Sequence, residues 1–220
     1  MVRRPGQQPA HRARLRGGAA APPADRFSAA IAAIDAQNAE DPTQASDGAG
    51  EAPAALLYGR RMSGWLLRLA PAACEALRLA ARAQHVARWK IPRRSYAEGR
   101  AGYLQWRRDL GRFHAETAAA ILEKAGYGPD EVARVADLLE KKSLKRDPDA
   151  QTLEDAACLV FLEHQFTDFS RRHEDDKVVE ILRKTLAKMS DRGRAEAAAL
   201  VESLPADRRA VVARAMADPA

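Results

Sequence analysis

Three side chains of this sequence have the types and spacing to do chemistry together: His85, His114 and Asp155. On a helix of about 3.6 residues per turn, Leu110, His114, Ala118 and Ile121 fall on one stripe, so His114 is expected to point inward. Asp155 heads a second, otherwise apolar stripe with Leu159, Leu162, Phe166 and Phe169. An unpaired carboxylate on such a face costs several kcal/mol, so Asp155 needs a partner: an arginine, a histidine or a metal. His85 lies on a third stripe with Cys74, Ala81 and Trp89. Two imidazoles and a carboxylate form a facial set for one divalent metal with open positions for water and a phosphate, with Asp155 and His114 as catalytic candidates. The alternative is a buried hydrogen-bond network with no metal.

The cations around these residues support an anionic ligand. Between Arg82 and His114 nine Lys and Arg stand against only Glu98 and Asp109. Arg88, Arg93, Arg94, Arg107 and Arg112 are the candidate phosphate contacts, since a guanidinium offers a planar fork to phosphate oxygens. Trp89, Tyr96, Tyr103 and Trp106 are interleaved with them and could stack bases, which keeps RNA open as a partner. His164 is expected to be structural, and Asp175-Asp176-Lys177 to be a solvated turn.

Elements that position these residues read almost entirely as helix. The chain has 220 residues, is 46% hydrophobic and 30% charged, and suits one domain with a sizeable core plus tails. Alternating strand patterns are absent, so the expected fold is all-α: a core domain over 25–190, then helices near 193–203 and 206–217 that pack on or extend from it. Helices are expected at about 25–39, 54–70, 71–90, 95–125, 129–142 and 148–170, with 41–53 a loop. Ser95 and Glu98 have capping-box spacing, and Asp147-Pro148 reads as an N-cap followed by a first-turn proline.

Net charge is +6, but residues 1–24 carry five arginines and no acid, so the remainder is near neutral. That stretch is expected to be a disordered basic tail. Cys74 and Cys158 form no C-x-x-C and read as core residues in a reducing compartment. No apolar run is long enough to span a membrane, so a cytoplasmic protein is expected, with an organellar transit peptide as the minor alternative. Without G-x-G-x-x-G, P-loop, H-E-x-x-H and G-x-S-x-G motifs, dinucleotide, NTP-loop, zincin and serine-hydrolase readings lose their usual support.

The segments RFSAAIAAIDAQNAEDP, LLYGRRMSGWL, LRLAARAQHVARWKIPR, GYLQWRRDLGRFHAE, LLEKKSLKRDPDAQTLEDAACLVFLE and HEDDKVVEILRKTLAKMS occur in order, and over about Phe27 to Met189 the chain resembles domain-of-unknown-function family 4202. A more distant resemblance is to the HD superfamily of metal-dependent phosphohydrolases, all-α domains with ligands in the order H…HD…D. His85 in H-V-A-R matches the first histidine, His114 the second, and Asp155 in LEDAACL the last aspartate. Ala115 stands where that superfamily has its paired Asp, so the resemblance implies a mononuclear or metal-free site. The function expected is hydrolysis of a phosphate ester or anhydride in a small molecule or nucleotide; the alternatives are an inactive relative that binds an anion, nucleotide or RNA, and a plain interaction scaffold.

Overall fold

Periodic apolar residues between polar caps build nearly all of the structure, a computed structural model that describes residues 25–48, 50–144 and 146–217. The expected basic tail, 1–24, lies outside the described residues. The first helix, α1, spans Arg26–Asn38, and Asp25 caps it by accepting the Ser28 N–H at 2.8 Å. Its Ala30 and Ile34 are completely buried, as i, i+4 spacing requires.

The stretch expected as a loop contains a small antiparallel hairpin, β1 at Gln44–Ser46 and β2 at Glu51–Pro53, with Ala45 opposite Ala52. Its residues have no β-forming side chains to announce it. The pairing comes instead from side-chain turn bonds: Asp47 accepts the Gly50 N–H at 3.1 Å, and Ser46 accepts the Gly48 N–H at 3.2 Å. Beneath it, buried Asp41 accepts the N–H groups of Thr43 and Ala55 at 2.9 and 3.0 Å, tying the hairpin to the next helix.

That helix, α2, runs Ala54–Leu69 without interruption at Gly59 or Gly64. A mid-helix glycine costs about 1 kcal/mol. Complete burial of a large apolar side chain gives roughly 1.5–3 kcal/mol, so Met62, Leu66 and Leu69 on the inner face outweigh both. Gly59 has a packing reason as well: a Cβ there would lie 2.8 Å from the Arg82 carbonyl oxygen, so glycine lets the following helix approach. This helix, α3, spans Glu75–Ala83, shorter at both ends than the expected 71–90. Arg82 near its end forms a two-point bond to Asp35 of α1, both at 2.6 Å.

The longest helix, α4, spans Gly99–Lys124 and begins after Glu98; Ser95 sits in a 3-10 turn, so the expected capping box is not formed. Next come α5 (Pro129–Leu139), α6 (Pro148–His164), the short α7 (Phe166–Ser170), α8 (Asp175–Leu186), α9 (Asp191–Val201) and α10 (Ala206–Ala217). As expected, Asp147 caps α6 with a proline in its first turn. Leu77, Leu122, Leu138, Leu159 and Phe166 are fully buried in one continuous core shared by α1–α10. Within it α4 packs on α5, α2 on α6, α3 on α2 and α5, α9 on α6, and α10 on α8. The protein is therefore all-α apart from the hairpin.

Cys158 is buried as expected, but Cys74 is exposed, because α3 begins after it and turns it outward. Among the described residues no helix is long and apolar enough to cross a membrane. Asp175 and Asp176 lie in the first turn of α8 and pair with Arg208 and Arg214 of α10.

Candidate functional site

The site forms where the chain leaves α3. Gln84 and His85 continue the last turn, and then Ala87 takes a left-handed conformation, φ +52°. A non-glycine residue there costs roughly 1–2 kcal/mol, so something must hold it. The holding groups come from other helices. Asn38 of α1 accepts the Ala87 N–H at 3.3 Å; the Val86 carbonyl accepts from His114 Nδ1 of α4 at 2.7 Å; the Ile91 carbonyl accepts from the Trp106 indole at 3.0 Å. The reversal at Ala87 directs Arg88 back beside His85.

Lys141 reaches the same place from the end of α5. Both α4 and α5 end in a Schellman motif, with Tyr127 N–H bonded to Leu122 O and Lys142 N–H to Asp137 O. In α4 the left-handed position is Gly126, φ +89°; in α5 it is Lys141, φ +59°. Glycine is the low-cost residue for this cap, so the second helix carries a strain that the first avoids. Lys141 forms an ion pair with buried Glu154 of α6.

Between these elements lies a cleft of about 460 Å³ whose lining includes Gln84, His85, Arg88, Arg107, Arg112, His114 and Lys141, and one acid, Glu140, which pairs with Lys142 at 3.3 Å. His114, 4% exposed, is at its floor, with its ring centroid 5.9 Å from that of His85. His85 stacks on Tyr58 of α2 at 3.7 Å. Arg88 lies over the Trp106 ring at 4.8 Å. Elsewhere arginines meet carboxylates: Arg26 with Glu131, Arg82 with Asp35, Arg134 with Asp147 and Asp149. Among the described residues none of Arg88, Arg107, Arg108 and Arg112 has such a partner.

Protonation follows from this environment. The Val86 carbonyl can only accept, so His114 carries its proton on Nδ1 and leaves an acceptor lone pair on Nε2. Burial lowers the His114 pKa to about 4, against the smaller raising effect of the Val86 bond. Burial also holds His85 well below the usual histidine range, helped by the charge of Arg88. The Nε2 atom of His114 and the Oε1 atom of Gln84 are buried without a hydrogen-bond partner among the described residues. Each costs about 1–3 kcal/mol while unpaired, and both belong to residues lining the cleft. Burial works against the Glu154 carboxylate, but the charge and hydrogen bond of Lys141, with the charges of Lys188 and Arg107, together keep its pKa below normal. Cys158 is no nucleophile, its thiol pushed up to about 12 by burial.

The structure thus brings together His85, His114, Arg88, Arg107 and Arg112 from the expected set. Asp155 is not among them. It is 3% exposed and accepts from Gln151 Nε2 at 3.0 Å, from Ser190 N–H at 2.9 Å and from the Ser190 hydroxyl, fixing the start of α9. Gly193 lets α9 close on that carboxylate, since a Cβ there would be 2.7 Å from Asp155 Cγ. Among the described residues no group of three or more His, Cys, Asp or Glu is placed to hold a metal ion, so the His85–His114–Asp155 ligand set is not assembled and the donors present do not fit a metal centre. Arg93 is spent on the carbonyls of Tyr96 and Ala97 at 3.0 and 2.9 Å, and exposed Arg94 does not line this cleft. His164 is exposed and paired with Glu163. Gln84, Arg108 and Lys141 escaped sequence reasoning; a glutamine beside His85 was a usable signal, whereas nothing local marks Lys141.

Asp155→Asn should therefore destabilise the protein by about 3 kcal/mol in urea unfolding, through loss of charge-assisted bonds to Ser190. Sulfate binding by the folded variant should match wild type, which separates this residue from the cleft.

The model for the domain of unknown function DUF4202 matches residues 28–212. The chain belongs to this family. No curated protein and no solved structure matches this DUF4202 chain. The matched residues run from within α1 to within α10 and include the elements on both sides of the cleft.

Proposed function

We propose that this DUF4202 protein binds the phosphate group of a small molecule in the cleft between the α3–α4 connection, α4 and the end of α5. The observation that carries this is Arg88, a partly buried guanidinium with no carboxylate partner among the described residues, facing further unneutralised arginines. Desolvating a cation without an acid is costly, and an incoming phosphate supplies the missing charge. Buried His114 among the lining residues suits a compact ligand that enters the cleft better than a flat RNA backbone. Isothermal titration with inorganic phosphate and with sulfate tests it. Both should bind, and Arg107→Gln and Arg112→Gln should each weaken binding about tenfold, as expected for one charge-assisted contact. No heat and no thermal stabilisation by millimolar anion would overturn the proposal.

Hydrolysis of a phosphate ester is a second reading, supported by the free lone pair on His114 Nε2. An attacking water would give its proton to Nε2 as its oxygen bonds to phosphorus, while the P–O ester bond breaks and its electron pair leaves on the ester oxygen, which takes a proton from solvent. Arg88, Arg107 and Arg112 would stabilise the charge on the transferring oxygens. Release of inorganic phosphate from a phosphate monoester, lost in His114→Asn, is the measurement; binding without turnover leaves the first reading and removes this one.

A further inference from the structure

On the far side of His85 and Arg88 lies a second cleft, of about 430 Å³, for which these two residues are again part of the wall. Its chemistry differs from that of the first. Partly exposed Trp89 and Ile91 and nearly buried Tyr58 and Trp106 give it aromatic and apolar sides, Asp41 and Gln165 supply polar groups, and its Arg93 is bonded to the carbonyls of Tyr96 and Ala97. The partition is made of planar groups, each backed by a ring: His85 is stacked on Tyr58 with 16° between planes, and Arg88 covers Trp106. Such a partition has one face toward a cationic space and the other toward an aromatic one. Both volumes are in the range of small-molecule sites.

We infer that the two clefts hold one molecule, a phosphate carried on a flat heteroaromatic group such as a nucleoside monophosphate, with the phosphate among the arginines and the ring between Trp89 and the partition. This rests on the anion-binding reading above and adds the identity of what the phosphate is attached to. A sugar phosphate or inorganic phosphate would use the first cleft and leave the partly exposed Trp89 and Ile91 of the second in water. A heteroaromatic ring removes that surface from water and stacks, while its edge donors and acceptors meet Gln165 and the lone pairs of Asp41 left over from the Thr43 and Ala55 bonds.

The test is titration of the full chain with inorganic phosphate, ribose 5-phosphate, adenosine and the four common ribonucleoside monophosphates, followed by calorimetry and tryptophan fluorescence. At least one monophosphate should bind about tenfold more tightly than ribose 5-phosphate and change tryptophan emission, as one stacked ring predicts. Two variants check the place: Trp89→Leu removes a wall, and Thr43→Trp adds bulk at an exposed position lining the second cleft. In each folded variant, judged by its melting curve, that advantage over ribose 5-phosphate should disappear. If every monophosphate matches ribose 5-phosphate within about threefold, or the advantage survives in both variants, the ring subsite is wrong and the anion site stands. If adenosine binds as tightly as its monophosphate, the clefts do not hold one molecule. If phosphate and every phosphorylated compound fail to bind, the anion reading itself falls and this inference with it.

Discussion

Replacing Arg88 with methionine should weaken sulfate binding about a hundredfold and at the same time stabilise the free protein by about 1 kcal/mol. The two effects have one cause. Arg88 is held beside His85 by the reversal at Ala87, and burial pushes its pKa down with no carboxylate to oppose it. Its compensation in the free protein is the Trp106 face, a contact of about 0.5–2 kcal/mol, less than the several kcal/mol that burying an ion costs. Methionine keeps much of the packing on Trp106 without the charge. An anion that forms two charge-assisted bonds to the guanidinium loses roughly 3 kcal/mol of binding when they are removed, which is the hundredfold. Urea unfolding and calorimetry on the same variant give both numbers. A variant that loses stability and keeps its affinity would mark Arg88 as a structural residue.

The second large effect is with pH. The free protein should lose stability as pH falls from about 6.5 to about 4, at up to roughly 1.4 kcal/mol per pH unit for His114. The unfolded chain takes up a proton near the ordinary histidine pKa of 6.5, whereas folded His114 does so only near 4. Between those values the unfolded state binds more protons, so acid favours unfolding. His85, also depressed, adds to the same slope. The groups opposing protonation are named by the structure: Arg88 and Arg107 for both imidazoles, with Lys141 acting on His85 while paired to Glu154.

Sulfate, which stays a dianion through this range, should reverse the trend. Its charge favours imidazolium, so its affinity should rise as pH falls and binding should take up protons. Calorimetry in buffers of different ionisation heat measures that uptake. His164 is depressed too, by partial desolvation and the charge of Arg61, so the contribution of the cleft is the difference between wild type and His114→Asn, whose amide can still donate to Val86. Affinity that is flat with pH in wild type would remove His114 and His85 from the anion site.

Helix-forming periodicity and the caps were legible without coordinates. Asp25, Asp147-Pro148 and the stripes containing Ile34, His114 and Leu159 all behave as local spacing dictates. So was the concentration of histidine, arginine and tryptophan around residues 82–114, because these residues are near neighbours in the chain. The direction of a side chain relative to its own helix axis follows from the 3.6-residue repeat. Its partner does not, because the partner is chosen by how helices far apart in sequence pack.

Asp155 shows the difference. Its inward direction and its need for a partner were both correct, yet the partner is Ser190, carried in 35 residues later at the start of α9, and not an imidazole. The end of α3 shows it again. Alanine at 87 favours continuing the helix, and Asn38, His114 and Trp106, reaching in from α1 and α4, hold the left-handed turn that places Arg88 on the cleft. Lys141 came from α5 through a cap that normally takes glycine, so no local rule pointed to it. The sequence by itself determined an all-α chain with an excess of cations around two inward histidines. Only the tertiary structure decided that Arg88, Arg107 and Arg112 share a cleft in which the lining acid, Glu140, pairs with Lys142 and the adjoining Glu154 with Lys141, because charge neutralisation depends on which carboxylates packing brings near.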